Sequence, residues 1–283
     1  MFHFRRWSFF SKVFFLVLFP TVVLADTVLL PDIIARPRST NSPAVPDPQK
    51  DLPQELRYET RPEVPNRVFI PKGFDNNDIH VQVVTDWMLP STCHRLGKIQ
   101  VLKDIRNRRV VITSNVNVYT GCVCIKSIQR KHSVIDLDMF EIPDDYDIVF
   151  IDKKGDMKSM GLLHIANVAD TTKPGQKVYG PDNFPYAPVS DLFIDTERKV
   201  ALIQGKMDAC LSIKEVRVSD PYENIIEVLP IIKEPVDQSL CGRVQMPFSE
   251  EIKLPEDLSG RFLVYVRSGE GQSIAKVDSF DGI

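Results

Sequence analysis

The chain has 283 residues, 43% of them apolar and 26% charged, with a formal net charge of −3. That length suits about two domains, and the composition is that of a folded chain rather than a disordered or collagen-like one. The slightly acidic balance argues against a general nucleic-acid binder, which carries a basic face or tail.

In chain order, the first element is a leader. Arg5, Arg6 and Lys12 form a positive start, and Val13 through Leu24 an apolar stretch broken only by Pro20 and Thr21. Val23-Leu24-Ala25 offers compact residues where a signal peptidase cuts, so residues 1–25 are predicted to be a signal peptide; the alternative is a retained anchor. The stretch is short for a membrane helix of ~20 residues, so no integral membrane segment is expected after cleavage. Removal would leave 32 Lys and Arg against 38 Asp and Glu. No cysteine occurs before Cys93, so a lipidated amino-terminal cysteine is not expected. The mature chain is predicted to start at Asp26 and to be exported, to the periplasm or beyond.

Residues 26–67 read as a proline-rich tether. Nine prolines fall between Pro31 and Pro71, and proline removes backbone donors and disfavours helix at the preceding residue. Such a segment is extended, a spacer or a docking segment. Val28-Leu29-Leu30 with Ile33-Ile34 is the docking candidate.

The rest of the chain reads as one module used twice, residues 68–151 and 192–283, joined by a polar, turn-rich linker over 152–191. Cys93 and Cys124 are 31 residues apart, and so are Cys210 and Cys241. Each first cysteine follows an apolar run and precedes an alternating one. In the first module strands are predicted at 79–84, 98–103, 109–119, 122–129 and 146–151. Thr120-Gly121 signals a turn, which puts Cys124 on the return strand of a hairpin. Ile225–Ile232 matches the long strand of the first module. Short strands with turn signals, duplicated and without a convincing amphipathic helix, predict an all-β protein. The expected fold is two tandem immunoglobulin-like antiparallel β-sandwiches, each stapled by one disulfide. Disulfides persist in oxidising compartments, which agrees with export. Cys122 is left over, with Ser239 at the matching place in the second module.

The modules resemble exported bacterial immunoglobulin-like β-sandwich modules. The residues that carry this are Leu89-Pro90-Ser91-Thr92-Cys93, Val123-Cys124-Ile125 and Ile142-Pro143-Asp144-Asp145-Tyr146. In the second copy they are Asp208-Ala209-Cys210, Leu240-Cys241-Gly242, and Leu254-Pro255 with Gly260-Arg261-Phe262-Leu263-Val264. The first copy lacks the glycine before Tyr146, and the second has Phe262 for the tyrosine. The resemblance implies fold and compartment, not an activity.

Chemistry-bearing patterns are few. His80, His94, His132 and His164 lack metal-ligand spacing, and a site from Cys93, His94, Cys122 and Cys124 competes with a disulfide from Cys93 to one of the two later thiols. No nucleophile elbow occurs, and Gly269-Glu270-Gly271 lacks the lysine and helix start of a phosphate loop. Asp144-Asp145 with Asp136 and Asp138 is a calcium candidate, set against solvated turn carboxylates. Lys103, Arg106, Arg108 and Arg109, with Lys126, Arg130, Lys131 and His132 expected nearby, form a candidate anionic-ligand patch or a solvated hairpin tip. Asn183-Phe184-Pro185-Tyr186-Ala187-Pro188 is expected to pack between the modules. No cofactor, metal or catalytic residue is predicted. The expected function is a non-enzymatic envelope binding or structural module whose partner is an envelope protein or glycan. The alternative is an inhibitor of an envelope protease, using the 88–97 loop, or a hydrolase built on sandwich loops. A redox role for Cys122 and Cys124 lacks the thiolate-stabilising helix start such a role needs.

Overall fold

Sixteen strands carry the structure, a computed structural model that describes residues 57–121, 123–170, 184–233 and 244–280. All of them belong to one compact unit, Asp47–Ile283. The protein is all-β, with short 3-10 turns as its only helical pieces among the described residues.

The first half holds β1 (Tyr58–Pro62), β2 (Arg67–Phe69), β3 (Phe74–Asp75), β4 (Gln82–Leu89), β5 (His94–Asp104), β6 (Arg109–Tyr119), β7 (Gln129–Asp136), β8 (Asp144–Ile151) and β9 (Met157–Ala166). The second holds β10 (Val189–Asp195), β11 (Val200–Asp208), β12 (Ser212–Val218), β13 (Ile225–Lys233), β14 (Gln245–Lys253), β15 (Arg261–Arg267) and β16 (Ser273–Ser279). Sheet one has the order β1-β6-β8-β9-β3, with β5 also on β6, and sheet two is β2-β4-β7. The second half repeats the plan as sheet three, β12-β13-β15-β16, and sheet four, β10-β11-β14. Alternation explains β6. Val110, Ile112, Ser114 and Val116 are buried while Thr113, Asn115 and Asn117 keep partial exposure, as the two-residue side-chain period requires.

Several expectations are corrected. The pairing is not antiparallel throughout: β6 pairs β8 in parallel, and β13 pairs β15 likewise. In each case one strand of the other sheet intervenes, so the chain reverses twice before returning beside its predecessor. The strand expected at 122–129 is absent from 123–128, which are irregular; β7 starts at Gln129 and pairs with β4, not β6. Cys124 thus precedes β7 rather than lying in a β6 hairpin. The expected linker contributes β9, which pairs with β8 along its length. The end of the expected tether forms β1, paired with β6.

The halves share a core. One buried cluster runs from Phe69, Val83, Ile112, Tyr146 and Phe150 to Ile225, Leu263, Tyr265 and Val277 of the second half. A second cluster, with Ile203, Ile226, Phe262, Val264 and Val266, fills the space between sheets three and four. Alternate residues of β13 and β15 therefore serve different cores. Both faces of the central strands β13 and β15 are covered, and these two strands read as nearly unbroken apolar runs for that reason.

Candidate functional site

The predicted site residues separate into structural and surface groups. Cys93 and Cys124 form a disulfide with a Cα–Cα distance of 5.4 Å. Cys210 is also disulfide-bonded; Cys241, its expected partner, and Cys122 lie outside the described residues. Backbone bonds reinforce the first bridge: Thr92 N–H donates to Ile125 O and Tyr119 N–H to Cys93 O.

The expected basic patch is divided. Lys103 donates from Nζ to Met139 O and lies over the Phe140 ring, and burial pulls its pKa below the ordinary lysine value against the attraction of Asp138 and Asp136. Arg108 has φ 53° and pairs with Asp144 at 2.8 Å. Arg106 and Arg109 flank the half-buried Asp104, which the Asn107 side chain holds below the usual carboxylate range. Lys126, Arg130 and Lys131 lie at the other end of the hairpin, beside the start of β5, because β7 begins opposite Leu89. The eleven-residue strands β5 and β6 stand between the two groups, roughly 30 Å of extended chain.

The acidic candidates do not converge either. Asp144 meets Arg108, Asp145 meets His164 at 2.6 Å, and Asp136 meets His80 at 2.6 Å. Among the described residues no group of three or more His, Cys, Asp or Glu is arranged to hold a metal ion. The aromatic-proline stretch packs beside β13: Ala187 N–H donates to Pro230 O, Ile232 N–H to Pro185 O, and Arg217 lies over the Phe184 ring. Its residue 183 lies outside the described residues.

Two features escaped the sequence reading. The first is a polar cluster on the seam between the halves. The segment from the end of β2 past β3 places Lys72, Phe74 and Asp78 against β13 and β15. Lys72 N–H donates to Glu227 Oε1 at 2.6 Å, and the Tyr222 hydroxyl donates to the same oxygen at 2.7 Å. Arg267 donates to Lys72 O at 2.8 Å and lies over the Phe74 ring. Burial raises the pKa of Glu227 above its ordinary value, against the lowering pull of Arg267 and these bonds. Burial also raises Asp78 and Tyr222, and pushes Tyr265 up to about 12. The available signal was a lone carboxylate, Glu227, inside the apolar run Ile225–Ile232.

This cluster gives a testable pH dependence. A buried carboxyl with a raised pKa binds its proton more tightly in the folded chain than in the unfolded one. Its contribution to stability is therefore complete below the ordinary carboxylate range and is lost as pH rises through the raised values. Glu227→Gln keeps the acceptor oxygen without the charge. Thermal midpoints from about pH 4 to about pH 8 should decline less with rising pH in the variant than in the parent. Parallel curves would show that Glu227 does not titrate in this way.

The second feature is a groove of 560 Å³ between the edges of sheets one and two. Val68, Ile70, Pro71, Met160 and Leu162 line it, with Lys72, His164 and Glu223 among its polar lining. β3 covers β9 only at Ile165 and Ala166, so the β9 edge from Met157 to Leu163 has no strand beside it among the described residues. A register shift near Met160 bulges that edge, which blunts it as a template for strand addition. Gly161 has φ +146°, and a Cβ there would stand 2.8 Å from Ile70 Cδ1. Glycine is thus needed for the backbone, while the Ile70 side-chain end would have to shift for a larger residue. The groove is open to side chains rather than to a new strand, and Leu162, 67% exposed, stands in it.

What fold and site define is an all-β, disulfide-bonded protein with an apolar surface groove and no described helix long and apolar enough to cross a membrane. No family model, no curated protein and no solved structure matches the chain.

Proposed function

We propose that the chain is an exported, non-enzymatic binding module of the cell envelope whose partner is an envelope protein that seats an apolar segment in the groove between β2 and β9. The groove carries this reading. Its described lining is mostly aliphatic, with His164 and no Trp, Tyr or Phe ring for a sugar to stack on, which favours a protein over a glycan. The leader-like residues 1–25 and the Cys93–Cys124 disulfide support an oxidising compartment.

A photoactivatable amino acid at Leu162 tests it in intact cells, with Ser249 on sheet four as the control position. The expected result is an adduct with one envelope protein from position 162 and none from position 249. Equal adducts from both positions, or none from 162, would count against the groove. Leu162→Asp should abolish the partner's binding while leaving the thermal midpoint nearly unchanged, because an exposed side chain contributes little to folding.

A further inference from the structure

We propose that the disulfide-tied loop between β6 and β7 docks on anionic bilayers, with Val123, Ile125 and Ile128 entering the headgroup region and Lys126, Arg130 and Lys131 contacting lipid phosphates. This site is separate from the groove. Val123 is 95% exposed, Ile125 65% and Ile128 66%, and three large aliphatic side chains within six residues at one apex are unusual on a surface facing only water. Lys126, Arg130 and Lys131 are all exposed beside them. The sequence holds no Asp or Glu from Ile105 to Ile135, within a chain that is acidic as a whole. Lys126, Arg130 and Lys131 thus have no acidic neighbour close to them in sequence.

The neighbouring strands complete the surface. Met88, 45% exposed, stands opposite Arg130 in the β4–β7 register. Arg95 lies over the Tyr119 ring at 5.0 Å, and Tyr119 packs on Tyr58 with centroids 5.7 Å apart. Exposed aliphatic side chains, a tyrosine pair and neighbouring cations are the side-chain types that suit the acyl, interfacial and phosphate regions of a bilayer. The exposed cations beside these aliphatic side chains complement the phosphates of an anionic lipid surface.

The loop is also held in place before any contact. The Cys93–Cys124 bridge anchors it, Thr92 N–H donates to Ile125 O, Ile125 N–H donates to Thr92 Oγ1 at 3.1 Å, and Ser127 N–H donates to Ile125 O. A loop already fixed loses little conformational entropy on docking.

Cosedimentation of the full chain with unilamellar vesicles tests this, comparing phosphatidylglycerol–phosphatidylcholine mixtures with phosphatidylcholine alone. Any contribution from residues 1–25 is common to parent and variants. The triple variant Lys126→Gln/Arg130→Gln/Lys131→Gln should weaken partition onto anionic vesicles about 100-fold. Ile125→Ser/Ile128→Ser should weaken it at least about tenfold. Raising salt to about 0.5 M should remove most of the difference between the two vesicle types. Equal partition of parent and both variants overturns the proposal. So does displacement by free inorganic phosphate at low millimolar concentration, which identifies a small-anion site. An envelope-protein adduct from a photoactivatable residue at Ile125, with no vesicle binding, assigns the loop to a protein instead.

Discussion

Replacing Arg261 by methionine is expected to lower stability by about 3–5 kcal/mol, because it strands a buried carboxylate. The Asp86 side chain is 3% exposed, and Arg261 from the other half of the chain reaches it with two guanidinium nitrogens. Nε donates to Oδ2 at 2.5 Å, and the second nitrogen donates to Oδ1. This two-pronged arrangement is the strong form of the carboxylate–arginine pair. Its worth lies in the damage done by breaking one side rather than in net stabilisation by the pair, since burying both charges is itself costly. The double variant Asp86→Leu/Arg261→Met should therefore recover to within about 1–2 kcal/mol of the parent. Urea unfolding of the parent, both single variants and the double variant measures the coupling directly. A cost below about 1 kcal/mol for Arg261→Met would show that water reaches Asp86 and that the seam rests on apolar contact alone.

Removing the Cys93–Cys124 bridge carries the second large effect. It closes a 31-residue loop, for which the chain-entropy account gives about 3–4 kcal/mol. In a unit of this size that corresponds to a fall of about 10 °C in thermal midpoint. Cys93 is 4% exposed, between β4 and β5 at the end of the first half. Cys93→Ser/Cys124→Ser should show the loss without a reductant, and dithiothreitol should reproduce it in the parent. The two treatments must agree once the effect of reductant on the Cys210 bridge is subtracted, using a Cys210→Ser/Cys241→Ser background. A double serine variant with an unchanged midpoint would assign the bridge to positioning the 123–128 loop alone.

Particular residues show how much the sequence revealed. The alternation in Arg109–Tyr119 located β6 to the residue. An apolar run, Met160–Ile165, lies within β9, inside the segment read as a linker. By contrast, the partner of β7 could not be read. Gln129–Asp136 alternates no differently whether it returns along β6 or crosses to β4, because period-two patterning fixes which side chains turn inward but not which strand lies alongside. The groove was equally hidden, since Val68 and Leu162 are unremarkable until β2 and β9 become neighbouring edges.

The way the halves stack follows the same division. The first parallel pair in the second half is Ile225 with Leu263; in the first half it is Arg109 with Asp147. The apolar pair lies on the face of sheet three that the first half covers, and the charged pair lies at the corresponding place on sheet one. A head-to-tail stack of this kind has no symmetry that closes it, and charge on its outer layer is what a terminal repeat needs to remain in water. Sequence alone determined that the chain is all-β, because that follows from local patterning. That Asp86 would meet Arg261, 175 residues away, and that Glu227 would be buried on the seam, only the tertiary structure decided. Those contacts depend on which faces come together, and side-chain periodicity carries no record of that choice.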